Sequence, residues 1–212
     1  MKDMPIFTTE NGVASLTLQE VPYTKRAYIR IQNSQAPGIL LQECVDFCRA
    51  VGAEEIYVAD ESCINNSLHY TDILEMTHVR SKLPETIAVA YAIVEQQLSE
   101  FRDLYNDKMR SVPNSAYLSE QKAKEMVKKQ CAYMVIQEGK RIGIGVAAND
   151  TIEMIAALEK GKGKDVLAAL SKHLSSECVR VVVASENLNA VSLYERLGFK
   201  VSRVLAQWYK IL

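Results

Sequence analysis

The stretch "NLNAVSLYERLGF", Asn187 to Phe199, reads as a helix with both ends marked. Asn187 or Asn189 can offer a side-chain oxygen to the unpaired N–H groups of the first turn. Gly198 stands where a left-handed residue closes a helix, and Phe199 can fold back as its apolar partner. Those features are structural. A helix needs none of the rest: an Asn at the strand end, Ala190 three residues on, and then the pair Leu193–Tyr194. Tyr194 either fills a core or uses its hydroxyl, and periodicity alone favours the core.

Upstream, "CVRVVVAS" (178–185) is a short β-branched run that reads as a buried strand. "DVLAALSKHL" (165–174) puts Val166, Leu167, Leu170 and Leu174 on one helical face. The turn opening that helix is "EKGKGKD", Glu159 to Asp165. A glycine-bearing turn at a helix start leaves N–H groups pointing outward, and the helix dipole makes them an anion site. Gly161 and Gly163 let an anion approach the backbone, and Lys160, Lys162 and Lys164 add charge. A flexible, solvated loop is the other reading. The spacing matches neither a P-loop nor a dinucleotide fingerprint.

Three strand-like runs precede the turn: "AYMVIQ", "GKRIGIGVA" and "TIEMIAAL", joined at Glu138-Gly139 and Asn149-Asp150. Before them come "TIAVAYAIV" (86–94) as a strand, an amphipathic helix over 95–112, and a second helix that Ser119 can cap. "KVSRVLAQWYKIL" closes the chain with one or two strands. The order is β-α-α-β-β-β-α-β-α-β(-β). The first half offers the strands "ASLTLQEV", "AYIRIQ" and "EIYVAD" and a helix over 38–53 ended by Gly52. Residues 61–83 read as a hinge or connecting segment.

Composition narrows the function classes. The 212 residues are 48% apolar and carry a net charge of −1, which indicates neither a nucleic-acid groove nor an anionic membrane surface. No apolar run approaches the roughly 20 residues that span a bilayer. Five cysteines, Cys44, Cys48, Cys63, Cys131 and Cys178, are odd in number and form no C-x-x-C pair, as expected of reduced thiols in a cytoplasm. They and the scattered His69, His78 and His173 make no metal motif.

Asn187, Ala190, Leu193, Tyr194, Glu195, Gly198 and Phe199 together resemble the last signature of the GNAT superfamily, the acyl-coenzyme-A-dependent N-acyltransferases. "KGKGKD" (160–165) resembles the same family's pyrophosphate loop, R/Q-x-x-G-x-G/A. The resemblance covers about residues 85–212. It implies an α/β fold with a mixed, mostly antiparallel central sheet flanked by helices, and a smaller N-terminal α/β half over 1–84. It further implies an N-acetyltransferase that uses acetyl-coenzyme A as co-substrate, without a metal. Tyr194 would be the general acid and Glu153 a carboxylate facing the acceptor, although Glu153 also fits a solvent-facing strand position. The backbone of Ile155 and Ala157 would pair with the pantetheine arm. Lys160, Gly161, Lys162, Gly163, Lys164 and Asp165 would hold the pyrophosphate, with Asn187 near the arm or capping its helix. The acceptor would be a small-molecule or peptide amine, with no nucleic acid or membrane involved, and a homodimer is compatible.

Two positions depart from the pattern. Lys160 replaces the family's Arg or Gln, and Asp165 replaces its small Gly or Ala. An aspartate there repels a pyrophosphate unless its side chain turns away to cap the helix. Those departures favour the rival class, a non-catalytic acyl-coenzyme-A sensor or interaction module; Tyr194 opposes it, because a pure binder has no use for a proton donor. In the first half, "LLQECVDFCRAVGAEEIYVAD" echoes "AVSLYERLGFKVSRVL", with Phe47 or Cys48 where Tyr194 would stand. A degenerate half without a phosphate turn or a proton donor implies one coenzyme per chain, bound after about residue 85.

Overall fold

The computed structural model describes residues 5–59 and 67–211, which fall into two compact units. The first is Met1–Ile73 with Leu205–Leu212, and the second is Leu74–Val204. Where the sequence suggests one division near 84/85, the contacts divide the chain at 73/74 and again at 204/205. Both divisions fall inside long strands, β5 (Ser67–Val79) and β11 (Lys200–Ile211). Asp60 and Cys63 lie outside the described residues.

In the first unit β1 (Ile6–Thr9), β2 (Gly12–Thr17) and β3 (Arg26–Ser34) pair antiparallel in sequence. After β3, α2 (Pro37–Ala50) leads to β4 (Glu55–Ala59), which lies parallel to β3; α1 (Val21–Thr24) is a single turn. The end of β11 pairs antiparallel with β4. Leu40, Leu41, Cys44, Val45 and Cys48 pack with Ile29, Ile56 and Val58. Tyr28, Tyr57 and Trp208 form a separate aromatic cluster. The Cys44 and Cys48 thiols are buried, which pushes their pKa values up to about 12 and about 11.

The second unit holds β6 (Val89–Ala92), α3 (Leu98–Met109), α4 (Glu120–Lys128), β7 (Ala132–Gln137), β8 (Lys140–Ala148), β9 (Thr151–Ala157), α5 (Gly163–Ser171), β10 (Cys178–Ala184) and α6 (Leu188–Arg196). β6 to β9 run as an antiparallel meander, β10 lies parallel to β9, and β5 follows β10. One core cluster gathers Val166, Leu167 and Leu170 of α5 with Tyr194 and Phe199. The other joins Leu98 and Phe101 of α3 to Ala123 of α4, Ile144, Val146 and Met154. Ser119 caps α4 by accepting from the Lys122 N–H at 3.3 Å.

The expected connecting segment, residues 61–83, does join the two units, which divide at Ile73 and Leu74, but it does so as a strand; its residues 61–66 lie outside the described residues. Residues 67–79 form the thirteen-residue strand β5. Its polar–apolar alternation breaks at Asp72-Ile73-Leu74, so period two does not reveal it; its neighbours β10 and β11, far along the chain, do.

Candidate active site

β9 and β10 are parallel neighbours, yet only Arg180↔Thr151 and Val181↔Ile152 pair. Beyond Ile152 the two strands part. β9 remains paired with β8 on its other edge, through Val146↔Met154, Gly145↔Ile155, Ile144↔Ala156 and Gly143↔Ala157. The Leu158 N–H donates to Ile142 O at 2.8 Å, on the β8 side. By strand alternation Ile155 and Ala157 therefore turn their N–H and C=O groups away from β8, into the gap beside β10. A strand edge left open this way is a template for an extended ligand.

The parting begins at a β-bulge. The register steps from Val146↔Met154 to Ala147↔Ile152, which leaves Glu153 as the extra residue of β9. The bulge also shifts the alternation: Ile152 packs in the cluster with α5, whereas Met154 and Ala156 pack with α3 and α4. Glu153 is exposed. Its charge adds to burial in pushing the Cys131 thiol pKa upward.

α5 begins where β9 ends. The N–H groups of Gly161, Gly163 and Lys164 have no acceptor among the described residues, so they stand open at the positive end of a nine-residue helix. Gly161 has φ +85°, and a Cβ there would meet nothing within 4 Å, so the need is backbone conformation. Gly163 has a different reason: its Cβ would stand 2.8 Å from Leu193 Cδ2 of α6. Its small size lets α6 lean on the start of α5. Lys160 and Lys164 are exposed, whereas Lys162 donates to Gln137 Oε1 at 2.8 Å.

Asp165 does not cap the helix. Its Oδ1 accepts from the Thr86 hydroxyl at 3.0 Å, and no side chain caps α5. The side chain is turned away, by Thr86.

α6 ends as its sequence predicts. The Asn187 side chain accepts from the Ala190 N–H at 3.4 Å and is the N-cap. The Phe199 and Gly198 N–H groups donate to Tyr194 O and Glu195 O, with Gly198 at φ +93°, closing a Schellman motif. Tyr194 is buried at 3% exposure in the cluster that takes in Ile155, its ring 5.6 Å from Phe199. Burial pushes its phenol pKa up. The structure thus gathers Tyr194, Ile155 and the α5 turn on one flank of β9, with Glu153 exposed at the bulge.

Sequence reading misses Thr86, Gly143 and Gly145. A Cβ on Gly143 or Gly145 would stand 2.3 or 2.2 Å from Val166 or Leu170, so the two glycines of β8 let α5 press onto the sheet. Glycines two apart in a strand are the signal for such an approach.

A family model described as an acetyltransferase (GNAT) domain matches residues 94–207, over half of the chain. The chain belongs to the GNAT acetyltransferase family. Solved GNAT structures share the fold at low identity. An acetyltransferase of the GNAT family from Colwellia psychrerythraea is 15% identical with a TM-score of 0.56, over 98% of this chain and 84% of that one. A GCN5-related N-acetyltransferase from Sphaerobacter thermophilus is 11% identical with a TM-score of 0.56, over 93% and 75%. A tandem GNAT protein from the clavulanic acid biosynthesis pathway is 12% identical with a TM-score of 0.55, over 94% and 78%. A sequence search of curated proteins finds no match. GNAT domains use acetyl-coenzyme A as co-substrate, and among the described residues no group of three or more His, Cys, Asp or Glu could hold a metal ion.

Proposed function

We propose that this GNAT protein is an N-acetyltransferase that moves an acetyl group from acetyl-coenzyme A to an amine by direct attack. The observation that carries the reading is the open edge of β9. Ile155 and Ala157 present unpaired backbone there, and the chain then runs directly into the free N–H groups of α5. An extended amide-bearing arm can pair with the first, and a pyrophosphate can sit on the second. Lys160 and Lys164 add charge around it, while Asn187 caps α6 and keeps its amide nitrogen for the arm.

When bound, the coenzyme supplies a thioester carbonyl activated for acyl transfer. The acceptor must attack as a neutral amine, although an alkylammonium has a pKa of about 10.4 and a terminal amine about 8. Glu153, exposed at the bulge, takes the ammonium proton directly or through water. As the C–N bond forms and the C–S bond breaks, the departing sulfur takes a proton from the Tyr194 hydroxyl, and the second proton shed by the nitrogen as it becomes an amide returns through water to the phenolate. Burial keeps that phenol protonated. The same apolar surroundings disfavour a bare thiolate, which draws the proton towards the leaving sulfur. The four cysteines among the described residues are free thiols, which supports a cytoplasmic setting.

The depth of Tyr194 favours a second reading, a sensor that binds acyl-coenzyme A without turning it over. Thioester consumption with a mixed panel of amines, read as free thiol, separates the two. Amine-dependent thiol release supports the enzyme; tight coenzyme binding with no release under any amine supports the sensor.

A further inference from the structure

Asp165 is the third residue of α5, counting from Gly163. A carboxylate at that place is drawn to the positive start of its own helix. The open N–H groups there are the ones assigned above to the pyrophosphate. In this chain the carboxylate goes elsewhere. Thr86, three residues before β6, donates its hydroxyl to Asp165 Oδ1 at 3.0 Å. The donor is itself held in place: Thr86 Oγ1 accepts from the Ala88 N–H at 3.1 Å, and Thr86 O accepts from Lys172 Nζ at 3.1 Å. Ala88 is fully buried, so its N–H orients the hydroxyl from a rigid part of the core. With one lone pair taken by the Ala88 N–H, the hydroxyl points its one proton at Asp165.

We propose that Thr86 is a positioning residue for the coenzyme: it holds the Asp165 carboxylate off the start of α5, leaving those N–H groups to the pyrophosphate. The proposal rests on the coenzyme reading above and adds to it. It explains how a chain can keep an acidic residue where a pyrophosphate loop ordinarily has a small one. Without the Thr86 proton the carboxylate swings back as an internal competitor for the same donors.

The test is calorimetric titration with coenzyme A and, in parallel, with pantetheine, which has no phosphate. Thr86→Val keeps the β-branched shape and should weaken coenzyme A binding by about 2- to 30-fold, the range for one charge at a helix terminus. It should leave pantetheine binding unchanged. Asp165→Ala should bind coenzyme A as well as wild type or better, and Thr86→Val/Asp165→Ala should regain that affinity. Thr86→Ser, which keeps the hydroxyl, should match wild type. If the bond only pins β6 to α5, Thr86→Val and Asp165→Ala would weaken binding equally and the double variant would recover nothing. That pattern overturns the proposal, as does equal coenzyme A affinity in Thr86→Val and wild type. Failure of wild type to bind coenzyme A at all would instead overturn the functional reading beneath it.

Discussion

Two helix starts in this chain occupy the same place in their units and differ in what they expose. α2 joins the parallel pair β3 and β4, as α5 joins β9 and β10. At the start of α2 the donors are used up. Ala36 N–H donates to Ser34 Oγ, Pro37 has no N–H, and the Ile39 and Leu40 N–H groups both donate to Ala36 O. Of the helix's own first turn, from Ala36 to Leu40, Gly38 alone is left. At the start of α5, Gly161, Gly163 and Lys164 are all open. The strands differ in the same sense: every residue of β4 pairs with β3, whereas two of the seven in β10 pair with β9. A single strand–helix–strand plan thus gives a closed unit where its donors are satisfied internally and a binding edge where they are not.

The largest effect expected on the open side concerns Tyr194. Tyr194→Phe keeps the ring against Phe199 and should lower turnover by about 10²- to 10⁴-fold, with coenzyme affinity held, if the hydroxyl is the general acid. An unchanged rate would make α6 a packing helix. Proline substitutions set the two strand pairs against each other. Ile29→Pro, in a strand paired on both sides, removes a ladder hydrogen bond and should cost about 1–3 kcal/mol of stability, read by denaturant unfolding. Ala157→Pro removes an N–H that no strand uses, so stability should hold while coenzyme affinity falls about 5- to 10-fold, one hydrogen bond's worth. Equal stability losses would mean that the β9 edge is not open. Asn187→Ala should cost about 1 kcal/mol as a lost cap, measured the same way.

The smallest effect lies in the first unit. Glu55 accepts from Lys210 and Arg26, which hold its carboxyl down at about 2. A depressed carboxyl stabilises the fold above its unfolded pKa, so this contribution is whole above about pH 4.5 and lost as pH falls towards 2. Glu55 is partly exposed, so the loss should be slight and should weaken in salt. Unfolding of Glu55→Gln against pH should lack that component.

Much of the second unit was legible because its signals are local. Asn187, Gly198 and Phe199 mark a helix by rules spanning a few residues, and the Gly161 turn announces a left-handed backbone. What stayed hidden depends on partners distant in sequence. β5 is a strand through its neighbours, and Gly163 is small because of Leu193 rather than a phosphate alone. Asp165 is diverted by a hydroxyl 79 residues away. The echo between α2 and α6 was real but local. Both end in a Schellman motif, Gly52 donating to Arg49 O and Ala53 to Cys48 O in the first case. Topology pairs α2 with α5 instead, because each joins two parallel neighbours.

Amide hydrogen exchange with and without coenzyme A tests the central claim most directly, since it reads single backbone groups in both units. Saturating coenzyme should slow exchange at Ile155, Ala157, Gly161, Gly163 and Lys164, one equivalent should suffice, and Gly38 and the amides of β3 and β4 should keep their rates. Protection at Gly38 or along β3, or unchanged exchange at Ile155 and Ala157 under saturation, would contradict the claim.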